Sequence, residues 1–256
     1  MSTLSYQVQT WGTVILFQLS SLKVSQPQLV KAAKEAEQFL LKIDQLFSTY
    51  RLDSQVSQIR GGELDIKDCD PLVGEVWQDC LAARELTDGA FDPWQVTGGF
   101  DPSGLVKGWA ADKCGQIFNK YGIENSLVNA AGDIALRGGL LTDGVIAPWP
   151  IQVRNPNKFD EVVQEFAINT GAIATSGRSE KGSHITDPFT GLIAIGALSA
   201  SVLGPDAGLA DALATALVVS GKDGANWFVK AELSQYAAFV IDRHSDTSWS
   251  VKGDCF

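Results

Sequence analysis

Asp211 and Thr215 stand four residues apart in Ala210-Asp211-Ala212-Leu213-Ala214-Thr215-Ala216-Leu217, a stretch that is otherwise apolar. At helical period the carboxylate and the hydroxyl share one face. Both are hard oxygen donors. They suit Mg²⁺, which takes one or two protein oxygens and fills its shell with water and substrate phosphate. The plainer alternative is a buried helix carrying an acidic residue and a Thr that bonds back to its own turn.

Lys107 falls in Asp101-Pro102-Ser103-Gly104-Leu105-Val106-Lys107-Gly108, the first turn of an expected helix. Free backbone N–H groups and an ammonium there make a site for an anion such as phosphate. Gly104 allows close approach of a ligand or offers its carbonyl to a metal. Two Phe-Asp-Pro triplets, 91–93 and 100–102, put Asp92 and Asp101 on a Gly-rich loop. Those carboxylates suit a sugar hydroxyl, a base edge or a metal-bound water, or they cap a turn and a helix. His184 is one of two His, in Ser183-His184-Ile185-Thr186-Asp187-Pro188-Phe189-Thr190-Gly191. Its hydroxyl and carboxylate neighbours fit a general base or a phosphate contact. The same residues also fit a hairpin connection. His244 lies in a polar turn and is expected to be structural or solvated. Asn129-Ala130-Ala131-Gly132-Asp133 interrupts a strand-like run, either exposing backbone to a flat ligand or marking a β-bulge.

These groups need elements to hold them. Alternation over 6–19 predicts a strand. Pro27 opens a helix whose apolar stripe is Leu29, Ala33, Ala36, Leu40, Ile43 and Phe47. A polar, turn-rich stretch follows over 48–62. Helices are predicted over 71–86, 105–120, around Asp211 and near 223–232. Between the helices over 71–86 and 105–120 runs a long loop, 87–104, dense in Gly, Asp and Pro; such loops are usually functional. Strands are predicted over 126–136, 149–155, 163–169, 171–176, 192–202 and 237–241. Helices and strands do not alternate strictly, so the expected fold is α+β, one domain over 1–256, rather than a doubly wound sheet.

Thirty acidic residues against twenty basic ones give a net charge of −10, which argues against general nucleic-acid binding. The first apolar run, Val14 to Phe17, is too short for a signal segment or a membrane span. The four Cys form no CxxC pair, so free thiols in a reducing compartment are expected. Together these predict a cytoplasmic protein without membrane insertion.

Taken in order, several segments resemble the FAD:protein FMN transferase, or ApbE, family. Trp11-Gly12-Thr13 resembles its opening Met-Gly-Thr. Phe47-Ser48-Thr49-Tyr50-Arg51 resembles its FST-aromatic segment, and Asp88-Gly89-Ala90-Phe91-Asp92-Pro93 its DGAFD loop. Asp101 to Gly108 is similar to its helix-opening loop, and Asn129 to Asp133 to its NxGGD strand. Thr175-Ser176-Gly177 and Ser183 to Gly191 resemble TSG and SHxxDPxTG, and Asp211 to Thr215 resembles DAxAT.

The resemblance implies a T-fold-like α+β domain with mixed sheet layers packed by helices. It implies FAD as substrate, Mg²⁺, and an acceptor protein whose Thr or Ser hydroxyl receives FMN as a phosphoester. Tyr50 would stack on a flavin-nucleotide ring. Trp11, Ala90, Phe91, Asp92, Asp101, Lys107 and Ile185 would line the FAD site. Asn129, Gly132, Asp133, Thr175, Ser176, Gly177 and His184 are counted with the FAD-binding residues. Gly104, Asp211 and Thr215 would hold the metal, with Ala214 adjacent. His184 would act as base, with Lys107 and Asp211 completing the catalytic set. The sequence departs from the family where Trp11 replaces Met, Ala131 replaces Gly, Phe189 replaces Arg, and Gly104 offers only a backbone ligand. An FAD pyrophosphatase using the same site, or a flavin-binding protein without turnover, are the alternatives.

Overall fold

The computed structural model describes residues 1–177, 185–243 and 247–252. β1 (Ser2–Thr10) and β2 (Thr13–Ser21) form a hairpin, so the strand expected over 6–19 is two. Trp11 and Gly12 make the turn with φ of 55° and 66°, the pair of positive angles that a two-residue hairpin turn requires. Alternation runs on through both arms, and only the turn residues separate them.

α1 (Gln26–Phe47) starts at Ser25, which shares a capping box with Gln28. The stripe read from the sequence is its buried face. The stretch over 48–62 contains a short helix, α2 (Gln55–Gly61), capped by Ser54 and ended by Gly62 at φ 72°. With one buried residue, Val56, it carries no periodic signal. α3 (Pro71–Leu86) and α4 (Ser103–Lys120) flank the long loop as expected.

β3 (Asn125–Ala130) and β4 (Asp133–Arg137) replace the single strand expected over 126–136. Ala131 and Gly132, at φ 61° and 108°, form a hairpin turn rather than a bulge. Two short strands not foreseen, β5 (Leu140–Thr142) and β6 (Val145–Ala147), pair with each other. β7 (Trp149–Asn155) and β8 (Lys158–Ile168) form a separate ribbon. β9 (Gly171–Gly177) and β10 (Ser199–Gly204) follow. The strand expected over 192–202 is confined to its end, because 185–194 folds back on itself through a Thr186–Ile193 bridge. α5 (Ala207–Ser220) carries Asp211 and Thr215. The helix expected near 223–232 is a 3₁₀ stretch, Gly221–Val229. β11 (Ala237–Ile241) and a further unforeseen strand, β12 (Ser248–Lys252), end the described chain.

Among the described residues, eight strands form one sheet in the order β1-β2-β3-β4-β9-β10-β11-β12, every neighbour antiparallel. The fold is α+β. Alternate residues divide two cores. Val128, Ala135, Ala174 and Val202 pack toward the helices, while Leu127, Leu136, Ile173 and Phe239 pack toward the β7–β8 ribbon. The registers Ile15↔Ala130, Ile134↔Ile173 and Ser199↔Gly177 bring three features to one end of the sheet. They are the Trp11 turn, the Ala131 turn and the end of β9. Among the described residues, no helix is long and apolar enough to cross a membrane.

Candidate active site where two helices meet the sheet end

α4 and α5 cross backbone to backbone. A Cβ on Gly108 would overlap the Ala207 carbonyl, and one on Gly208 would sit 3.1 Å from the Trp109 Cβ. Only residues without side chains permit this approach. It sets Lys107 of α4 against Asp211 of α5, and the Ala131 turn delivers Asp133 from the sheet. Lys107 Nζ pairs with Asp133 and lies 3.4 Å from Asp211 Oδ2. Both carboxylates are buried, with 2% of each side chain exposed.

Among the described residues the charges do not balance: two carboxylates face one ammonium. Burial opposes the Lys107 charge, but Asp133 and Asp211 outweigh it and its pKa is raised. Burial first and Asp133 second push Asp211 up to about 7, against the pull of Lys107 and a hydrogen bond from the Gly108 N–H. A site that holds surplus negative charge away from water favours a cation.

Thr215 lies one turn beyond Asp211 on the same face of α5. Its Oγ1 is 3.0 Å from Ser176 Oγ at the end of β9. Gly104 leaves helical geometry, at ψ 18°, and a Cβ there would meet Thr215 Oγ1 at 3.0 Å and the Phe91 ring at 3.3 Å. A carboxylate, a hydroxyl and a backbone segment thus converge, a hard oxygen set that fits Mg²⁺. Ala214 is fully buried and can contribute only backbone. Among the described residues, no group of three or more His, Cys, Asp or Glu could hold a metal. A metal here would need oxygen from hydroxyl, carbonyl, water or substrate as well as carboxylate.

On the ribbon side of the same sheet end lies a cleft of about 350 Å³. Asn129, Gly132, Thr175, Ser176 and Gly177 line it, over a floor that includes Ile134 and Ile173. Asn129 Oδ1 accepts the Gly132 N–H at 2.8 Å, fixing the turn. Ser176 links this cleft to Thr215.

The remaining expected residues are placed as follows. Ala90 and Phe91 are buried in the main core. Asp92 pairs with Arg84 and accepts the Trp94 N–H at 3.0 Å. Asp101 accepts the Ser103 N–H at 3.0 Å and lies 3.8 Å from Arg60. Trp11 and Ile185 are half-buried against the main core. Tyr50 is 97% exposed. Phe189 is exposed, and its ring lies 3.7 Å from where a Gly89 Cβ would stand. His184 and His244 lie outside the described residues.

The structure thus unites Lys107, Asp133, Asp211, Thr215, Gly104, Phe91 and Ser176, whereas Asp92 and Asp101 are held by arginines that sequence reasoning missed. Arg60 donates to the Thr97 and Gly98 carbonyls at 2.9 and 2.8 Å. These partners lie more than thirty residues away, and no local pattern announces them. Arg84, eight residues before Asp92, had a weak signal as a cation in the last turn of α3.

The sequence model of the ApbE family matches residues 6–98 and 95–240. A protein of Vibrio cholerae named FAD:protein FMN transferase is 37% identical over 157 residues, 57% of this chain and 45% of its own length. One of Escherichia coli K12, with the same name, is 31% identical over 157 residues, 57% of this chain and 43% of its own length. The aligned stretch therefore spans less than half of these curated relatives. Among solved structures, the flavin transferase ApbE of Vibrio cholerae superposes with a TM-score of 0.83 at 23% identity, covering 100% of this chain and 98% of that one. The ApbE protein of Thermotoga maritima does so with 0.80 at 24% identity, covering 99% and 97%. The structural likeness establishes the fold, and the family match extends over nearly the whole described chain: this protein belongs to the ApbE family.

Proposed function

We propose that residues 1–256 act as one domain that moves FMN from FAD to a Thr or Ser hydroxyl of an acceptor protein, with Mg²⁺ as the metal and AMP released. The observation that carries this reading is the buried Lys107–Asp133–Asp211 cluster beside Thr215 and Gly104. It is a cation-seeking, phosphate-ready site in a chain related to proteins named FAD:protein FMN transferase. Asp211, Thr215 and the Gly104 carbonyl would hold the metal, with the Ala214 backbone adjacent. When bound, Mg²⁺ neutralises charge on pyrophosphate oxygens. Lys107, held by Asp133, puts an ammonium at the same place. The exposed Tyr50 ring offers a face on which a base or flavin stacks. The acceptor oxygen bonds to the phosphorus of the FMN half, and the phosphoanhydride P–O bond to AMP breaks. The hydroxyl proton passes to a base, the role the sequence offers to His184. Free thiols at Cys69, Cys80 and Cys114 support a reducing compartment such as the cytoplasm.

The test incubates the chain with FAD and Mg²⁺, with and without a Thr-bearing acceptor protein, and follows AMP and acceptor mass. AMP release matched by an FMN-sized mass gain is expected. AMP release that no acceptor captures would overturn transfer and favour hydrolysis of FAD by the same site.

A further inference from the structure

The first N–H groups of α5 have no acceptor within their own helix. Asp206, at the N-cap, accepts the Leu209 N–H at 2.7 Å, and its carbonyl accepts that of Ala210. That of Ala207 is taken by a residue of a different helix: Asp112 of α4 accepts it at 2.6 Å. The two carboxylates repel each other, and Arg137 is the cation that offsets them at Asp112. An acidic residue placed against a like charge needs a compensating purpose, and the crossing supplies one. The contact lies at the Gly108–Ala207 approach, where α4 and α5 touch backbone to backbone.

The candidate site is divided between these helices. Gly104 and Lys107 belong to α4, Asp211 and Thr215 to α5. Glycine contacts permit close approach but do not stop one helix sliding along the other. A directional hydrogen bond from one helix to the end of the next does. A slide of one residue is 1.5 Å, enough to separate a ligand set.

We propose that Asp112 is a positioning residue: by capping α5 from α4 it sets the register in which Gly104 and Lys107 meet Asp211 and Thr215. This rests on the metal reading of Asp211 and Thr215. Groups that orient metal ligands from outside the first contacts commonly change affinity by about 10–100-fold when removed.

The experiment titrates the intact chain with Mg²⁺ by calorimetry and follows amide exchange of the Mg²⁺-free chain by mass. Asp112→Ala should weaken Mg²⁺ binding at least about tenfold and speed exchange in both α5 and residues 104–108. Asp112→Asn keeps an acceptor oxygen and should bind Mg²⁺ within about threefold of the natural chain, well inside that loss. Asp206→Ala removes a cap of α5 but leaves the Asp112 bond to Ala207 in place, so it should speed exchange in the first turn of α5 alone and leave the affinity unchanged. Should Asp112→Ala not fold, Gly208→Ala disturbs the same crossing and must weaken Mg²⁺ binding. Natural affinity in Asp112→Ala, or an equal loss in Asp206→Ala, overturns the proposal. Absence of Mg²⁺ binding by the natural chain overturns the metal reading instead, while the exchange pattern still decides whether Asp112 sets the register.

Discussion

Charge balance at the helix crossing makes two neighbouring substitutions behave in opposite ways. Lys107 faces Asp133 and Asp211 with both carboxylates buried. Replacing Lys107 with Met leaves two buried anions without a partner, a loss of the kind that costs about 3–5 kcal/mol. Replacing Asp211 with Asn leaves Lys107 and Asp133 as a matched pair. In Mg²⁺-free buffer Asp211→Asn should therefore cost clearly less than Lys107→Met, because it removes a buried like charge beside Asp133 and leaves no ion unpaired. Added Mg²⁺ reverses the ranking. At a hundred times its Kd it should stabilise the natural chain by about 2.7 kcal/mol, roughly 5–10 °C in Tm for a chain of this size. Asp211→Asn should gain almost nothing. The assay is thermal unfolding of the three proteins with and without MgCl₂, with FAD-dependent AMP release in parallel. A metal-free loss in Asp211→Asn as large as that in Lys107→Met would refute the charge count. A full Mg²⁺ shift in Asp211→Asn would refute the ligand assignment.

Tyr50→Ala should weaken FAD binding at least several-fold, since stacking on an aromatic ring is worth about 1–3 kcal/mol. Tm should be unchanged, because the ring is 97% exposed; flavin-fluorescence titration decides it, and unaltered affinity removes Tyr50 from the site. Ala131→Gly should stabilise the chain in urea by about 0.5–1 kcal/mol, because Ala131 sits at φ 61°, and the left-handed penalty exceeds the added glycine entropy; a lower midpoint refutes this. Burial and then Asp206 push Asp112 up to about 7 from 3.8, against the hydrogen bond from the Ala207 N–H and the pull of Arg137. A raised carboxyl keeps its proton when folded and loses it when unfolded, so its stabilisation is complete below about pH 4 and lost as pH rises through about 7. Metal-free unfolding between pH 5 and 8 should show stability falling with pH, and Asp112→Asn should make that slope shallower; an identical slope refutes the assignment.

The local patterns were legible because their causes are local. The stripe of α1 and the Ser25–Pro27–Gln28 start follow from helical period and capping chemistry. The shared face of Asp211 and Thr215 follows from their four-residue spacing, whatever the rest of the chain does. The long loop between α3 and α4 is written in its Gly, Asp and Pro. The family motifs carry the identity because their order survives even where single residues, such as Trp11 and Phe189, depart.

Other features depended on partners far away in sequence. The hairpin at Trp11-Gly12 was hidden because alternation continues through both arms, and the strands show as two only when Thr10 pairs with Thr13. Asp133 reads as part of a turn motif, and the sheet registers make it the partner of Lys107, twenty-six residues away. Asp92 and Asp101 read as ligand candidates, and Arg84 and Arg60 occupy them. Asp112 carried no signal, because its partner is a backbone N–H ninety-five residues on. The chain's own residues were enough for the shared helix faces, the starts of α1, α3 and α4, and the order of the family motifs. Tertiary structure alone decided which carboxylate meets which cation, since a charge finds its partner through space and a helix crossing is set by side chains that glycine leaves out.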